Sequence, residues 1–113
     1  MTVFVVSTGG TIASTADATG ALVPTLSAAD LVARSGTTRD VRTTDIANLD
    51  SSSLGLAELD HIRSLTSTLL DDDHLAGIVI THGTDSMAET ALALDLVHRD
   101  PRPVVLTGAM RPA

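Results

Sequence analysis

Apolar residues fall along this chain in short bursts of two kinds. Val3-Phe4-Val5-Val6, Gly77-Ile78-Val79-Ile80 and Pro103-Val104-Val105-Leu106 are continuous runs, the pattern of strands buried in a parallel sheet. Val41 to Ile46 is a weaker run that predicts a further strand. Farther on the spacing changes. Leu56, Leu59, Ile62, Leu65 and Leu69 recur every three or four residues and draw one apolar helical face. Asp71-Asp72-Asp73-His74 ends that helix, with the carboxylates outside it, because negative charge opposes the dipole at a carboxyl end.

Local punctuation fixes the other elements. Ser27 is an N-cap for a short helix through Val32 and Ala33, which Ser35-Gly36 halts. Ser86-Met87-Ala88-Glu89 is a capping box, and the helix it opens runs to about His98 before Asp100-Pro101 stops it. Thr8 to Thr25 lacks periodicity and predicts a long loop or loose hairpin; connections of that length are usually functional or mobile. Asn48 to Ser53 predicts a polar turn, with Ser53 a candidate cap for the next helix. There is no internal repeat, linker or low-complexity tract. The order is strand, loop, helix, then three strands separated by two helices, with right-handed crossovers. This is an α/β fold with a parallel, Rossmann-like sheet and flanking helices. No helix follows Thr107 to cover the last strand, so residues 1–113 read as a domain cut partway through.

Composition narrows the function classes. The chain has 113 residues, is 43% hydrophobic and carries a net charge of −7. That length and apolar content suit one modest core. All seven basic residues are Arg and lie scattered, which argues against nucleic acid or an anionic membrane as partner. Cysteine is absent, so disulfides and thiolate metal sites are excluded. The first apolar run is too short for a signal peptide, no stretch approaches the roughly 20 apolar residues of a membrane span, and the expected location is cytoplasmic. Lys, Tyr and Trp are also absent, so neither an ammonium nor a phenol for catalysis comes from within the chain.

Two loops after apolar runs carry the candidate chemistry. In parallel sheets, loops at the carboxyl ends of neighbouring strands meet in one ligand crevice. Thr8-Gly9-Gly10-Thr11 reads either as a turn that presents amides and a threonine hydroxyl or as plain Gly-Gly punctuation. Its spacing fits neither the dinucleotide glycine pattern nor the P-loop. His82-Gly83-Thr84-Asp85-Ser86 lies at a strand end and a helix N-terminus, where free amides stabilise an oxyanion or carboxylate. Asp85 and Ser86 also read as caps, and His82 as a structural hydrogen-bonding residue more than a base. Asp50-Ser51-Ser52-Ser53 forms a third loop on the same side. His61, His74 and His98 are isolated, and no pair has metal-ligand spacing.

These residues resemble a known family. Val5-x-x-Thr8-Gly9-Gly10-Thr11-Ile12-Ala13 and Gly77-Ile78-Val79-Ile80-Thr81-His82-Gly83-Thr84-Asp85 resemble the two signature segments of bacterial-type L-asparaginases and glutaminase-asparaginases. Pro103-Val104-Val105 through Gly108-Ala109-Met110-Arg111-Pro112 is similar to the strand and turn that follow. The likeness spans the chain but only the first third of a typical member, so it implies a partial N-terminal asparaginase domain over 1–113 with the C-terminal domain absent.

The resemblance implies hydrolysis of L-asparagine to L-aspartate and ammonia, without cofactor or metal, with L-glutamine a weaker substrate. It implies Thr11 as the nucleophile of an acyl-enzyme ester and Thr84 as the second catalytic threonine. Asp85 would bind the substrate α-amino group, Ser51 the α-carboxylate, and Ser52 would take the place of a usual polar residue. Backbone amides of Thr11 and Thr84 would form the oxyanion hole. It also implies a homo-oligomer in the complete enzyme. Family members add a downstream Lys and often a Tyr near positions 21–25; this chain has neither, and Ser86 replaces the usual Thr. A hydroxyl needs a base to take its proton, so the fragment alone is expected to be inactive. The alternatives are the asparaginase-like domain of a tRNA-dependent amidotransferase, or a non-catalytic remnant that binds amino acid or nothing.

Overall fold

A computed structural model describes residues 1–24, 26–49 and 55–110, and the side chains of all of these except 11, 22–24 and 47–49. The predicted runs become strands β1 (Thr2–Gly9), β4 (Val41–Leu49), β5 (Leu75–Thr81) and β6 (Val104–Thr107). They form one parallel sheet in the order β4-β1-β5-β6, so the two most apolar runs take the central places. Helices α1 (Ala28–Ser35), α2 (Leu56–Leu69) and α3 (Met87–Val97) make the connections. The α/β fold expected from the sequence is the one observed.

Register explains which side chains make the core. Phe4 lies beside Ile78, Val6 beside Ile80, Ile78 beside Val104 and Ile80 beside Leu106. Laterally paired residues of a sheet point to the same face. That face is covered by Ile62 and Leu65 of α2 and Leu94 of α3, and Val6, Ile62, Ile78 and Ile80 are fully buried. The other face carries Val5, Val79 and Val105 in one row. Helix α1 packs there on β1 and β4, and cover thins along the row until Val105 is 49% exposed.

The long connection after β1 is organised. A 3₁₀ turn (Thr11–Ala13) leads into β2 (Ser14–Ala16), which pairs antiparallel with β3 (Leu22–Pro24), so the loose-hairpin reading holds. Asp17 ties the tip: its Oδ1 accepts from the Thr19 hydroxyl at 2.7 Å, the Thr19 amide at 2.8 Å and the Ala21 amide at 3.1 Å. Those donors hold its carboxyl below the usual range, the Thr19 hydroxyl foremost. At α1, Ser27 caps as expected, and Asp30 returns a bond to the Ser27 amide to complete a box. Gly36 closes that helix in the left-handed conformation, φ 69°.

Several local expectations are corrected. Strand β4 continues past Ile46 through Asn48 and Leu49, where a turn was expected, and its pairing with β1 slips between Ser7 and Gly9. Helix α2 is capped at Gly55, whose amide donates to Glu58 at 3.0 Å; the proposed cap Ser53 lies outside the described residues. Leu56, assigned to the buried face, is 86% exposed, because at the first position of α2 it overhangs the core. Ser86 does occupy the N-cap position of α3, but its side chain makes no capping bond. Its ψ of 16° departs from the extended geometry that aims a cap hydroxyl at the first turn. Among the described residues no helix is long and apolar enough to cross a membrane.

Arg102 locks the amino-terminal ends of β5 and β6 to α2. Its guanidinium donates to the carbonyls of Leu70, Asp72 (2.6 Å) and Leu75 (3.1 Å), which include acceptors left over at the end of α2. A fork of two 2.9 Å bonds joins it to the Asp100 carboxylate. Those bonds hold the Asp100 carboxyl well below the ordinary carboxylate range. A lowered folded-state value means the pair stabilises the fold at neutral pH, and that gain is lost as pH falls below the unfolded value of about 4. Arg102→Gln is therefore expected to lower Tm at pH 7, and the gap from the parent chain should narrow as pH drops toward 2, leaving the part that comes from the bonds to the Leu70, Asp72 and Leu75 carbonyls, which do not titrate. A gap that stays constant over that range would rule out the ion pair as its source.

Candidate active site

The carboxyl ends of β1 and β5 meet because the strands are neighbours, with Ser7 beside Thr81. Their loops then touch backbone to backbone. A Cβ placed on Gly10 would stand 2.6 Å from the Gly83 nitrogen and 2.7 Å from its Cα, and Gly10 has φ +86°. Only glycine satisfies both the close approach and the left-handed backbone. The loop after β6 joins them: a Cβ on Gly108 would lie 2.5 Å from the His82 carbonyl oxygen and 2.6 Å from Met87 Cε. Among the described residues, glycines thus bring the loops after β1, β5 and β6 into one cluster.

Hydrogen bonds hold the cluster. The Thr8 hydroxyl donates to the Thr81 carbonyl at 2.8 Å, and the His82 amide donates to the Thr107 carbonyl at 2.8 Å. Within the first loop, the Gly10 carbonyl accepts from the Ser14 hydroxyl at 2.8 Å and the Ala13 amide at 3.1 Å. Ser7, Thr8, Ser14, Thr81 and His82 are all buried. The floor of the site is therefore polar and shielded from bulk solvent. Ser14 was not named from the sequence, and Thr8 only as the first residue of the glycine turn, with no role of its own.

The predicted site residues fall as follows. Thr11 opens the 3₁₀ turn directly after Gly10, which places its backbone at the meeting of the loops. Its side chain, and Ser51 and Ser52 in full, lie outside the described residues. Thr84 and Asp85 are exposed in the turn that leads into α3. A Cβ on Gly108 would come within 3.5 Å of Thr84 Cγ2, so Thr84 borders the loop after β6. His82, read as a structural hydrogen-bonding residue, is wholly buried and bonded through both ring nitrogens.

Comparison with known proteins points to one family. The family profile described as "Asparaginase, N-terminal" matches residues 2–113. An L-asparaginase of Thermococcus kodakarensis is 41% identical over 117 residues, which cover 99% of this chain and 35% of that protein. L-asparaginase 2-3 of Saccharomyces cerevisiae is 39% identical over 94% of this chain and 31% of its own length. A glutaminase-asparaginase of Pseudomonas aeruginosa is 36% identical over 97% of this chain and 32% of its own. The solved structure of the thermostable L-asparaginase from Thermococcus kodakarensis superposes with a TM-score of 0.86 over 99% of this chain and 35% of that one. A probable cytoplasmic L-asparaginase from Campylobacter jejuni superposes at 0.79, over 98% of this chain and 33% of that one. The chain thus spans about a third of the length of these relatives.

The contact between loops is open to a direct test. Gly10→Ala combines left-handed strain with a clash against the Gly83 backbone, and should cost about 1–3 kcal/mol in urea unfolding. Gly20→Ala is the control: φ is +85° there, but nothing lies within 4 Å of the added carbon. Equal costs at the two positions would show that the contact between loops contributes nothing.

Proposed function

The chain belongs to the asparaginase family, and we propose on that premise that it supplies the nucleophile-bearing part of an amidohydrolase site for L-asparagine. The observation that supports the reading best is the backbone contact of Gly10 with Gly83, which sets Thr11 and Thr84 on adjoining loops. In the proposed reaction the Thr11 hydroxyl oxygen attacks the side-chain amide carbon and gives up its proton. The carbonyl oxygen gains negative charge and is received by the Thr11 and Thr84 amides. The carbon–nitrogen bond then breaks, ammonia leaves with an added proton, and an ester to Thr11 remains. Water cleaves that ester to release L-aspartate, with the Thr84 hydroxyl holding the water.

Substrate charges are assigned in the same reading. Asp85 meets the α-ammonium, Ser51 the α-carboxylate, and Ser52 adds a further polar contact. Glutamine, one methylene longer, is the second substrate; a relative bearing the name glutaminase-asparaginase supports that extension. No step calls for a cofactor. A homo-oligomer and a cytoplasmic location belong to the same reading, the latter supported by the relative from Campylobacter jejuni.

The reading assigns the proton acceptor for Thr11 to a group outside these residues. The sequence contains no Lys and no Tyr, and the His82 ring is buried with both nitrogens occupied. A hydroxyl without a base is a poor nucleophile. The isolated chain is therefore expected to release no ammonia from asparagine above a Thr11→Ala control, and to self-associate in light scattering through the thinly covered β6 margin. A monodisperse monomer with clear Thr11-dependent turnover would overturn this expectation.

In any form that does turn over, Thr11→Ala should abolish ammonia release, since it deletes the covalent step. Asp85→Asn should instead raise KM and lower kcat/KM by about tenfold or more, the scale of losing one charged contact. Near-normal ammonia release by Thr11→Ala would exclude it as nucleophile. An unchanged KM and kcat in Asp85→Asn would remove Asp85 from the substrate contacts.

A further inference from the structure

We propose that His82 is a positioning residue that aims the backbone amide of Thr84. His82 is wholly buried at the end of β5, and its ring Nδ1 lies 2.6 Å from the Gly83 carbonyl oxygen. A carbonyl can only accept, so Nδ1 carries the proton and donates. In the neutral ring Nε2 is then bare and accepts from the Thr90 hydroxyl, 2.9 Å away on α3. Thr90 is buried as well. The His82 amide is pinned to the Thr107 carbonyl at 2.8 Å. The residue is thereby held at its backbone by β6 and at its ring by α3.

The consequence lies one bond further on. The Gly83 carbonyl and the Thr84 N–H belong to a single planar peptide unit, and no described peptide bond is cis. The two groups point in opposite directions. A ring that draws the carbonyl inward therefore turns the Thr84 N–H outward, on the side where Thr84 itself is exposed. Glycine at 83 leaves that plane with little intrinsic restraint, so the imidazole supplies what the backbone lacks. Donation to the carbonyl also polarises the unit and makes its N–H a stronger donor. The value of this for catalysis rests on the proposed reading in which the Thr84 amide receives the oxyanion. The geometry itself does not.

Nitrogen-15 NMR of the 113-residue chain, at a dilution where light scattering reports a monomer, tests the geometry without activity. The His82 ring is expected to show a protonated Nδ1 and a bare Nε2. Thr90→Val keeps side-chain shape but removes the hydroxyl donor, so it should mix the ring tautomers and shift the Thr84 amide resonance. His82→Leu should shift that resonance further, and His82→Gln, whose amide can donate to the Gly83 carbonyl, should move it part of the way back. Preserved signals of Ile78 and Ile80 show that the variants are folded. A proton on Nε2 in the parent chain, or a Thr84 signal unmoved in folded Thr90→Val and His82→Leu, would overturn the proposal. In a form with turnover, Thr90→Val should lower kcat by about three- to tenfold with KM nearly unchanged, as expected for a group acting only in the transition state. A loss of thermal stability with kcat intact would make the ring merely structural. Absence of ammonia release from every form would sink the amidase reading, and the tautomer and the Thr84 resonance would still decide this one.

Discussion

Two loops that meet with no side chain between them set the terms for the rest of this structure. The space between Gly10 and Gly83 is too small for a single added carbon, and Gly108 packs as tightly against the His82 carbonyl. Such contacts demand that β1, β5 and β6 reach their carboxyl ends in step. Register provides this: Ser7 sits beside Thr81 and Thr81 beside Thr107. The apolar layer below fixes the register in turn, because a slip by one residue would carry Val6, Ile78 and Ile80 from the face covered by α2 and α3 to the other. Core packing and site geometry are thus one constraint seen at two heights along the same strands.

Burying polar groups just above that core has a cost, and the chain meets it almost completely. Thr8, Ser14, Thr90 and both nitrogens of His82 have hydrogen-bond partners. Among the described residues, the Thr81 hydroxyl oxygen is the buried side-chain atom left without one. Two of these bonds join separate elements, Thr8 to β5 and His82 to α3, while Ser14 to Gly10 and His82 to Gly83 each close a turn within one loop. Buried networks of this kind rigidify their surroundings, since an unpaired member would cost more than a typical bond contributes. Rigidity at this level suits the proposed role of the site, in which fixed amides meet a developing charge.

The sequence made most of the fold legible, for reasons that differ by element. The runs at Val3–Val6, Gly77–Ile80 and Val104–Leu106 are apolar on both faces, which is the signature of a parallel sheet, and all became strands. Reading failed where tertiary placement overrides a local motif. Ser86 and Glu89 have the spacing of a capping box, yet the backbone at Ser86 has a ψ of 16° in place of the extended geometry a cap needs, and the capping bond does not form. Leu56 fits the helical period but lies a turn beyond the core. Strand β4 extends past Ile46 because β1 offers it backbone partners up to Gly9, a pairing that periodicity cannot reveal. At the site, the glycine loops were visible as motifs, but their contact was not. A space too small for a methyl group exists only once two distant segments are folded together. The Thr90 partner of His82 was hidden for the same reason.

What the chain contains and what it lacks divide along a physical line. It builds rigid backbone donors, a threonine on a 3₁₀ turn and an exposed carboxylate at the start of α3. It holds no ammonium or phenol side chain, and its buried imidazole is committed to holding a peptide plane. Charge stabilisation and proton transfer place opposite demands on a site. Fixed dipoles act best when they cannot reorganise, whereas a general base must reach its proton, change charge and recover. A base built into this packed cluster would have to alter its charge among buried, already bonded groups, at high desolvation cost. Delivering the proton acceptor from a separate element leaves the dipoles undisturbed. In the proposed reading His82 stays out of proton transfer, with one nitrogen on Gly83 and the other on Thr90.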